Sequence, residues 1–442
     1  MNCMQQSKRK RLKGSSMNTT KLLPPVKDAL AQFPHVFHEE KVYSGSLGAA
    51  WAPGRVNLIG EHTDYNGGYV LPLAVDRVAA FAGRTRSDAT VRLWSTQFSE
   101  YAQFSLTGLP ETFQEQREQL PGWARFVLGV ATELIRAEKP LNGFDAVVSG
   151  DVPLGGGMSS SAALEVATAH ACALFSQGKL SIGTQNASLS LMEVAALCQR
   201  AEHIASGLRS GILDQAASCL GQPGKAILLD CRSLEYRYLP FEYPEISVVV
   251  IDTSVRRELA SSAYNERRQQ CEDATKQIRE LILKDEPDDR HAHEIETLRD
   301  ITPEQFDRYK QHLSPVLQKR AGYVIAENER VLQVVKLLEA GNEEKNIEAA
   351  GQILWKGHEG LRNEYEVSSV ELDALVDIAG TVPGVLGARM MGGGFGGCTI
   401  NLVRNESVEA LRAAVEKEYP QRTGRNASID ICRAAAGPGY TF

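Results

Sequence analysis

The chain has 442 residues, of which 43% are hydrophobic, 23% charged and 7% aromatic. That length exceeds one ordinary core and predicts two domains, and the composition excludes a disordered or fibrous protein. The formal net charge of −7 argues against a general nucleic-acid binder, and no apolar run reaches the roughly 18 residues needed to cross a bilayer, which argues against a membrane partner.

The chain opens on MNCMQQSKRKRLKGSSMNTT, where Lys8, Arg9, Lys10, Arg11 and Lys13 cluster and the apolar core of a secretory signal is missing. Residues 1–20 are expected to form a disordered basic tail, with a nuclear-targeting or nucleic-acid arm as the alternative, and the protein is expected to be cytoplasmic. Eight cysteines (Cys3, Cys172, Cys198, Cys219, Cys231, Cys271, Cys398 and Cys432) are scattered without a C-x-x-C pair or zinc spacing, which predicts reduced thiols.

APGRVNLIGEHTDYNGGYVLP, Ala52 to Pro72, brings Arg55, Glu61, His62 and Asp64 close together ahead of Asn66-Gly67, a dipeptide that favours tight hairpin turns. Such a cluster can line a sugar's hydroxyls; the alternative is a charged hairpin end facing water. Next comes GDVPLGGGMSSSAALEVATAHA, Gly150 to Ala171, read as a strand at Ala146 to Val148, a glycine loop at Gly155 to Gly157, serines at Ser159 to Ser161 and a helix from Ala162 to Phe175. Glycines admit backbone N–H groups close to a ligand and a helix start carries unpaired N–H groups with partial positive charge, so this order suits a polyphosphate. It is neither a P-loop nor a spaced dinucleotide fingerprint, and taken alone it reads equally as a flexible turn with a serine cap.

In EVAALCQRAEHIASGLRSGILDQAASCLG, Gly207 and Gly211 predict two helices. Glu202 then lies near a helix C-terminus, where the dipole disfavours a carboxylate and a cation partner is suggested. Asp214 lies early in the second helix among apolar neighbours, as a satisfied helix-start residue or a positioned base. The half before residue 240 alternates short β-branched runs with helical patterns, and another strand is expected within Ile246 to Ser254. From Ser261 long helical runs follow, broken by a solvated connector at Asp285 to Glu294, and a second glycine cluster, RMMGGGFGGCTINLV, leads into a strand at Thr399 to Val403. No fixed-period repeat points to a solenoid.

GRVNLIGEHTDYNGGYVLP resembles the galactokinase signature, PLGGGMSSSAALE resembles the second motif of the kinases grouped as galactokinase, homoserine, mevalonate and phosphomevalonate (GHMP) kinases, and ARMMGGGFGGCT resembles their third. The motifs occur in family order, and with SGILDQAASCLGQPGKAILLDCRSLE, VRRELASSAYNERRQQCE, AENERV and LRNEYEVSSVELDAL the resemblance covers about Phe33 to Val403. It implies an α+β, two-domain GHMP-type small-molecule kinase with its active site in the cleft between an N-terminal domain, residues 21–240, and a C-terminal domain, residues 241–442. The implied reaction moves the γ-phosphate of ATP to the anomeric hydroxyl of α-D-galactose.

Position by position, the resemblance implies Asp214 as the catalytic aspartate with Arg55 beside it. Glu61, His62, Thr63, Asp64, Gly211 and Tyr264 would bind the sugar. Gly155, Gly156, Gly157, Met158, Ser159, Ser160 and Ser161 would bind ATP, with Ser161 and Glu202 placing Mg²⁺ and Gly392 to Gly397 shaping the closed site. The expected partners are galactose and ATP alone, for a monomer or weak oligomer. Ser210, Leu213, Met158, Met391, Asn363 and Glu364 depart from the family pattern, in positions expected to leave the chemistry untouched. Two rival readings are a kinase for N-acetylgalactosamine or arabinose, which Thr63 in EHTDY disfavours, and a non-catalytic galactose and ATP sensor, which the intact run Ser159 to Ala163 disfavours.

Overall fold

Thirteen strands appear in the computed structural model, which describes residues 22–38, 42–183, 186–255 and 260–442. They are β1 (Gly48–Asn57), β2 (Tyr69–Val70), β3 (Pro72–Thr85), β4 (Thr90–Ser95), β5 (Glu100–Ser105), β6 (Phe144–Gly150), β7 (Lys225–Asp230), β8 (Tyr236–Pro240), β9 (Ile246–Asp252), β10 (Val385–Met391), β11 (Cys398–Arg404), β12 (Ser428–Cys432) and β13 (Gly439–Thr441). The expected basic tail lies outside the described residues.

Three sheets result, ordered β13-β1-β3-β6-β4-β5, β10-β11-β9-β12 and β2-β7-β8. Their pairings are antiparallel except for β4 with β6, and helices cover the sheets, so the architecture is α+β. β1 and β3 are buried almost throughout instead of alternating, because helices lie on both faces of the first sheet. The helix Pro24–Val36 packs Val26, Ala29 and Phe33 against Ala49, Ala80, Ala82 and Val147. The alanine-rich helix Ser160–Phe175 lies among the other core residues, its small side chains allowing close approach.

The last strand, β13, returns to the first sheet and pairs with β1, Ala49 opposite Thr441 and Trp51 opposite Gly439. A Cβ at Gly439 would come within 2.5 Å of the Trp51 ring, so only glycine fits this crossing. The second sheet packs under the helices Val370–Thr381 and Val408–Thr423 through Val249, Ile251, Ile378 and Leu411.

Three local expectations change. Asn66-Gly67 makes no hairpin: Asp64–Asn66 is a 3-10 turn closed by Gly67 at φ 64°. The connector after Asp285 is partly structured, because the Asp289 carboxylate caps the short helix Arg290–Glu294 and buries Ala292. The helix read as starting at Ala162 starts at Ser160. Among the described residues the seven cysteines are free thiols, and no helix is long and apolar enough to cross a membrane.

Candidate active site

β1 carries a register shift between Pro53 and Arg55 that leaves Gly54 without a strand partner, the ladder resuming with Arg55 opposite Ala74. Gly54 permits it, since a Cβ there would sit 2.7 Å from the Met158 carbonyl. The Arg55 backbone N–H donates to that same carbonyl at 3.1 Å, and the guanidinium donates to the Gly157 carbonyl and, at 2.8 Å, to Asp214 Oδ1. Asp214 stands in the first turn of the helix Leu213–Leu220, where the dipole favours a carboxylate.

The loop needs its glycines. Gly155 and Gly157 have φ of 63° and 75°, and a Cβ on Gly156 would lie 2.7 Å from Asp252 Oδ2. Ser159, the residue before the helix, adopts φ 56° and makes no capping bond; its hydroxyl donates to Asp214 Oδ2 at 2.5 Å. The alternative of a serine cap is not met at Ser159, because carboxylates across the site take the Ser159 and Ser161 hydroxyls instead. Met158 is fully buried, leaving only its backbone at the loop.

Ser161 donates to Glu202 Oε1 at 3.0 Å, tying the helix start to the helix Leu191–Ser206, which ends at Gly207 as read from the sequence. Ser210 donates to Glu202 Oε2 at 2.5 Å and Gln215 reaches the same oxygen at 3.2 Å. The departure at Ser210 therefore touches the expected Mg²⁺ carboxylate directly, against the expectation that it would not. Burial raises the Glu202 carboxyl, and Asp214 adds to the effect. Behind it Glu165, fully buried, holds Gln215 at 2.9 Å, and burial pushes its carboxyl well above the usual range.

A cavity of about 210 Å³ opens beside Asp214, lined by Arg55, Glu61, His62, Asp64, Gly211 and Tyr264 among others, with Gly392, Gly393 and Gly394 closing one wall. Burial lifts the Asp64 carboxyl to about 6, and the Asp214 charge adds to that lift. Gly211 has no alternative, because a Cβ there would fall 2.0 Å from Asp64 Oδ2. Burial drives the His62 imidazole down to about 3, so it is neutral; its Nε2 has no hydrogen-bond partner among the described residues. Tyr264, on the helix Ala260–Asp285, packs its ring 5.3 Å from His62. Thr63 alone of the expected sugar contacts is not brought to the cavity: its hydroxyl lies 2.7 Å from the Gly60 and Tyr69 carbonyls and shapes the turn.

Glu61 is held by a residue that the sequence reading did not single out. Arg389, fully buried in β10, forms an ion pair with Glu61 and donates to the Leu58 and Asn57 carbonyls at 2.7 and 2.6 Å. Asn57 Nδ2 and the Gly392 N–H donate to the same carboxylate at 2.9 and 3.2 Å. Removing one partner of such a buried pair costs about 3–5 kcal/mol. The available signal was a lone arginine in an apolar strand, which requires a partner once buried.

Across the loop lies a second concavity, of about 350 Å³, with an apolar wall of Val78, Phe98, Trp123, Phe126 and Leu154 that ends at Gly155, Ser160 and Ser161. The Phe98 and Trp123 rings stack with centroids 6.3 Å apart and planes 7° from parallel. A flat aromatic slot opening onto a phosphate-suited helix start fits a nucleobase.

Family models agree with this layout: the galactokinase galactose-binding signature matches residues 32–85, the GHMP kinases N terminal domain residues 125–222, and the GHMP kinases C terminal domain residues 334–421. The chain is 42% identical to the galactokinase of Chloroflexus aggregans over 89% of its length and 93% of the relative. It is 38% identical to the Homo sapiens galactokinase, covering 94% of this chain and 97% of that one. Among solved structures it superposes on Lactococcus lactis galactokinase complexed with galactose with a TM-score of 0.81 at 33% identity, covering 93% and 98% of the two chains. Methanococcus jannaschii mevalonate kinase, at 19% identity and a TM-score of 0.58 over 89% and 99%, shares the fold. With its two-domain α+β kinase fold and relatives at this identity along nearly its whole length, the chain belongs to the galactokinase family.

Proposed function

We propose that this enzyme transfers the γ-phosphoryl group of ATP to the anomeric hydroxyl of α-D-galactose, giving galactose 1-phosphate and ADP. The observation that carries the reading is the position of Asp214. One carboxylate oxygen is bound by Arg55 and the other by Ser159, where the glycine loop meets the cavity. Phosphoryl transfer asks a protein mainly for alignment and charge neutralisation. The anomeric oxygen attacks the γ-phosphorus, the bond to the bridging oxygen breaks, ADP leaves, and Asp214 accepts the hydroxyl proton while Arg55 stabilises the developing charge.

Glu61, His62, Asp64 and Tyr264 hold the sugar, and Gly211 leaves room for Asp64. The amides of Gly155 to Ser161 bind the phosphates and the Phe98 and Trp123 slot takes the base. Ser161 and Glu202 offer the hard oxygen donors that Mg²⁺ prefers, and no cluster of three or more His, Cys, Asp or Glu side chains suited to a metal occurs among the described residues, so the phosphates would complete the coordination. The ion, when bound, supplies positive charge to the phosphate oxygens. Residues 21–240 and 241–442 are taken as the two domains flanking the cleft, in a cytoplasmic monomer or weak oligomer.

A coupled ADP-release assay with galactose, its 2-acetamido analogue, arabinose and glucose tests the reading, with magnesium varied in parallel. Galactose is expected to give the highest kcat/KM. Preference for another sugar, or no turnover with any of them, would overturn it.

A further inference from the structure

The run AENERV, Ala326 to Val331, belongs to the helix Pro315–Glu339 and has no part in the transfer step, yet it is bonded to the turn that carries Glu61, His62 and Asp64. Between β1 and β2 the chain leaves the ladder, so its backbone groups there need other partners. Local bonds close the middle of the turn: the Asn66 amide donates to the His62 carbonyl, the Gly68 N–H donates to the Thr63 carbonyl, and the Thr63 hydroxyl lies at the Gly60 and Tyr69 carbonyls. Three groups at the two ends go instead to this one helix. The Gly60 N–H donates to Glu327 Oε1 at 3.0 Å, the Tyr323 hydroxyl donates to the Glu61 carbonyl at 3.1 Å, and the Tyr69 N–H donates to Asn328 Oδ1 at 2.9 Å.

The three side chains are themselves held. Glu327 Oε2 accepts from Arg330 at 2.6 Å, the Asn328 amide nitrogen donates to the Val324 carbonyl at 3.1 Å, and the Tyr323 ring packs 4.7 Å from that of Tyr365. All three are buried, so water offers no substitute partner when one of these bonds is removed. The contact also lacks slack, since a Cβ on Gly68 would fall 2.4 Å from Asn328 Oδ1. Glu61 is tied at three points: the N–H before it by Glu327, its carbonyl by Tyr323 and its carboxylate by Arg389. The helix partners lie 259, 262 and 267 residues further along the chain, so the turn takes its shape from the far half of the sequence.

We propose that Tyr323, Glu327 and Asn328 are positioning residues for the sugar: they clamp the backbone from Gly60 to Tyr69 and so fix the direction in which Glu61, His62 and Asp64 face the cavity. None of the three lines the cavity itself. That the clamp serves a sugar rests on the proposed function, whereas the clamp does not.

Amide hydrogen exchange on the full chain without ligand, resolved by peptide, tests the clamp. In Asn328→Ala the peptide spanning Gly60 to Tyr69 is expected to exchange about tenfold faster while the glycine loop at Gly155 to Gly157 keeps its rate; unchanged exchange in the turn overturns the clamp, whatever the sugar. Steady-state kinetics test the positioning role. Asn328→Ala should raise the KM for galactose about thirtyfold, and Tyr323→Phe, which removes one oxygen and keeps the ring, about five- to tenfold, with kcat and the KM for ATP within about twofold. Val334→Ala, a purely apolar change in the core on the same helix, serves as the control: it should lower the melting temperature and leave the galactose KM alone. A galactose KM that moves no further in Tyr323→Phe and Asn328→Ala than in Val334→Ala makes the three residues merely structural and overturns the proposal. If Asn328→Ala does not fold, Tyr323→Phe decides both measurements. A wild type that prefers another sugar defeats the proposed function, while the exchange rates still judge the clamp.

Discussion

The two concavities flanking the glycine loop are built from opposite materials. On the side proposed for galactose, side chains with strongly perturbed chemistry dominate: Glu61 locked by Arg389, Asp64 pushed up by burial, His62 held neutral. On the side proposed for the nucleotide the lining is backbone, small hydroxyls and the apolar faces of Phe98 and Trp123. A phosphate chain needs only N–H groups and a helix start, which any sequence with the right glycines supplies. Distinguishing one sugar from its epimers requires donors and acceptors that cannot move, because discrimination comes from leaving a buried polar group unpaired when the wrong ligand enters.

Substitutions on the two sides should therefore separate kinetically. The largest effect is expected where the sides meet: Asp214→Asn should lower kcat for galactose-dependent ADP release by about 10²- to 10⁴-fold, with galactose binding measured by calorimetry nearly retained. Wild-type turnover in that variant would dissolve the comparison, since nothing would then join the two concavities chemically. On the galactose side, Gly211→Ala forces Asp64 aside and should raise the KM for galactose about 100-fold while leaving the KM for ATP alone. Steady-state kinetics with each substrate varied in turn checks the split.

Phe98→Ala tests the opposite side. Phe98 is 47% exposed, so its loss should cost little stability, yet the KM for ATP should rise about three- to tenfold without a change for galactose. Smallest, Asp64→Asn should reveal the strain kept on the sugar side. Asp64 titrates at about 6 in the fold against an ordinary 3.8, so the native state binds this proton more tightly than the unfolded chain does. Ionising it costs stability that is lost as pH rises from 3.8 through about 6, and the cost is fully present above that. The variant should accordingly melt about 2–4 °C higher than wild type at pH 8, the gap closing at pH 4, by calorimetric scans at both.

What could be read from the letters follows the range over which each feature is encoded. The break at Gly207, Asp214 in a first turn and the glycine loop before an alanine-rich helix are local, and each appears where its residues predict it. Features joining distant segments were not legible. Arg389 meets Glu61 across more than half the chain, Phe98 meets Trp123 from a separate element, and the Ser210 hydroxyl finds Glu202 only because the chain folds back after Gly207. The Asn66-Gly67 dipeptide misled within a local segment: the hairpin signal yielded to a competing local turn, with the Asn66 amide drawn to the His62 carbonyl at 2.8 Å and the Gly68 N–H to the Thr63 carbonyl, also at 2.8 Å.

The pairing of β13 with β1 makes an early strand dependent on a segment far along the sequence. Gly439 to Thr441 are synthesised long after β1, yet these residues cover the edge of the strand that carries Arg55. While synthesis is under way that edge is bare, and unpaired edges invite pairing with other chains. Changes to Gly439 to Thr441 therefore act on a strand made early in synthesis, although in sequence they lie far from it.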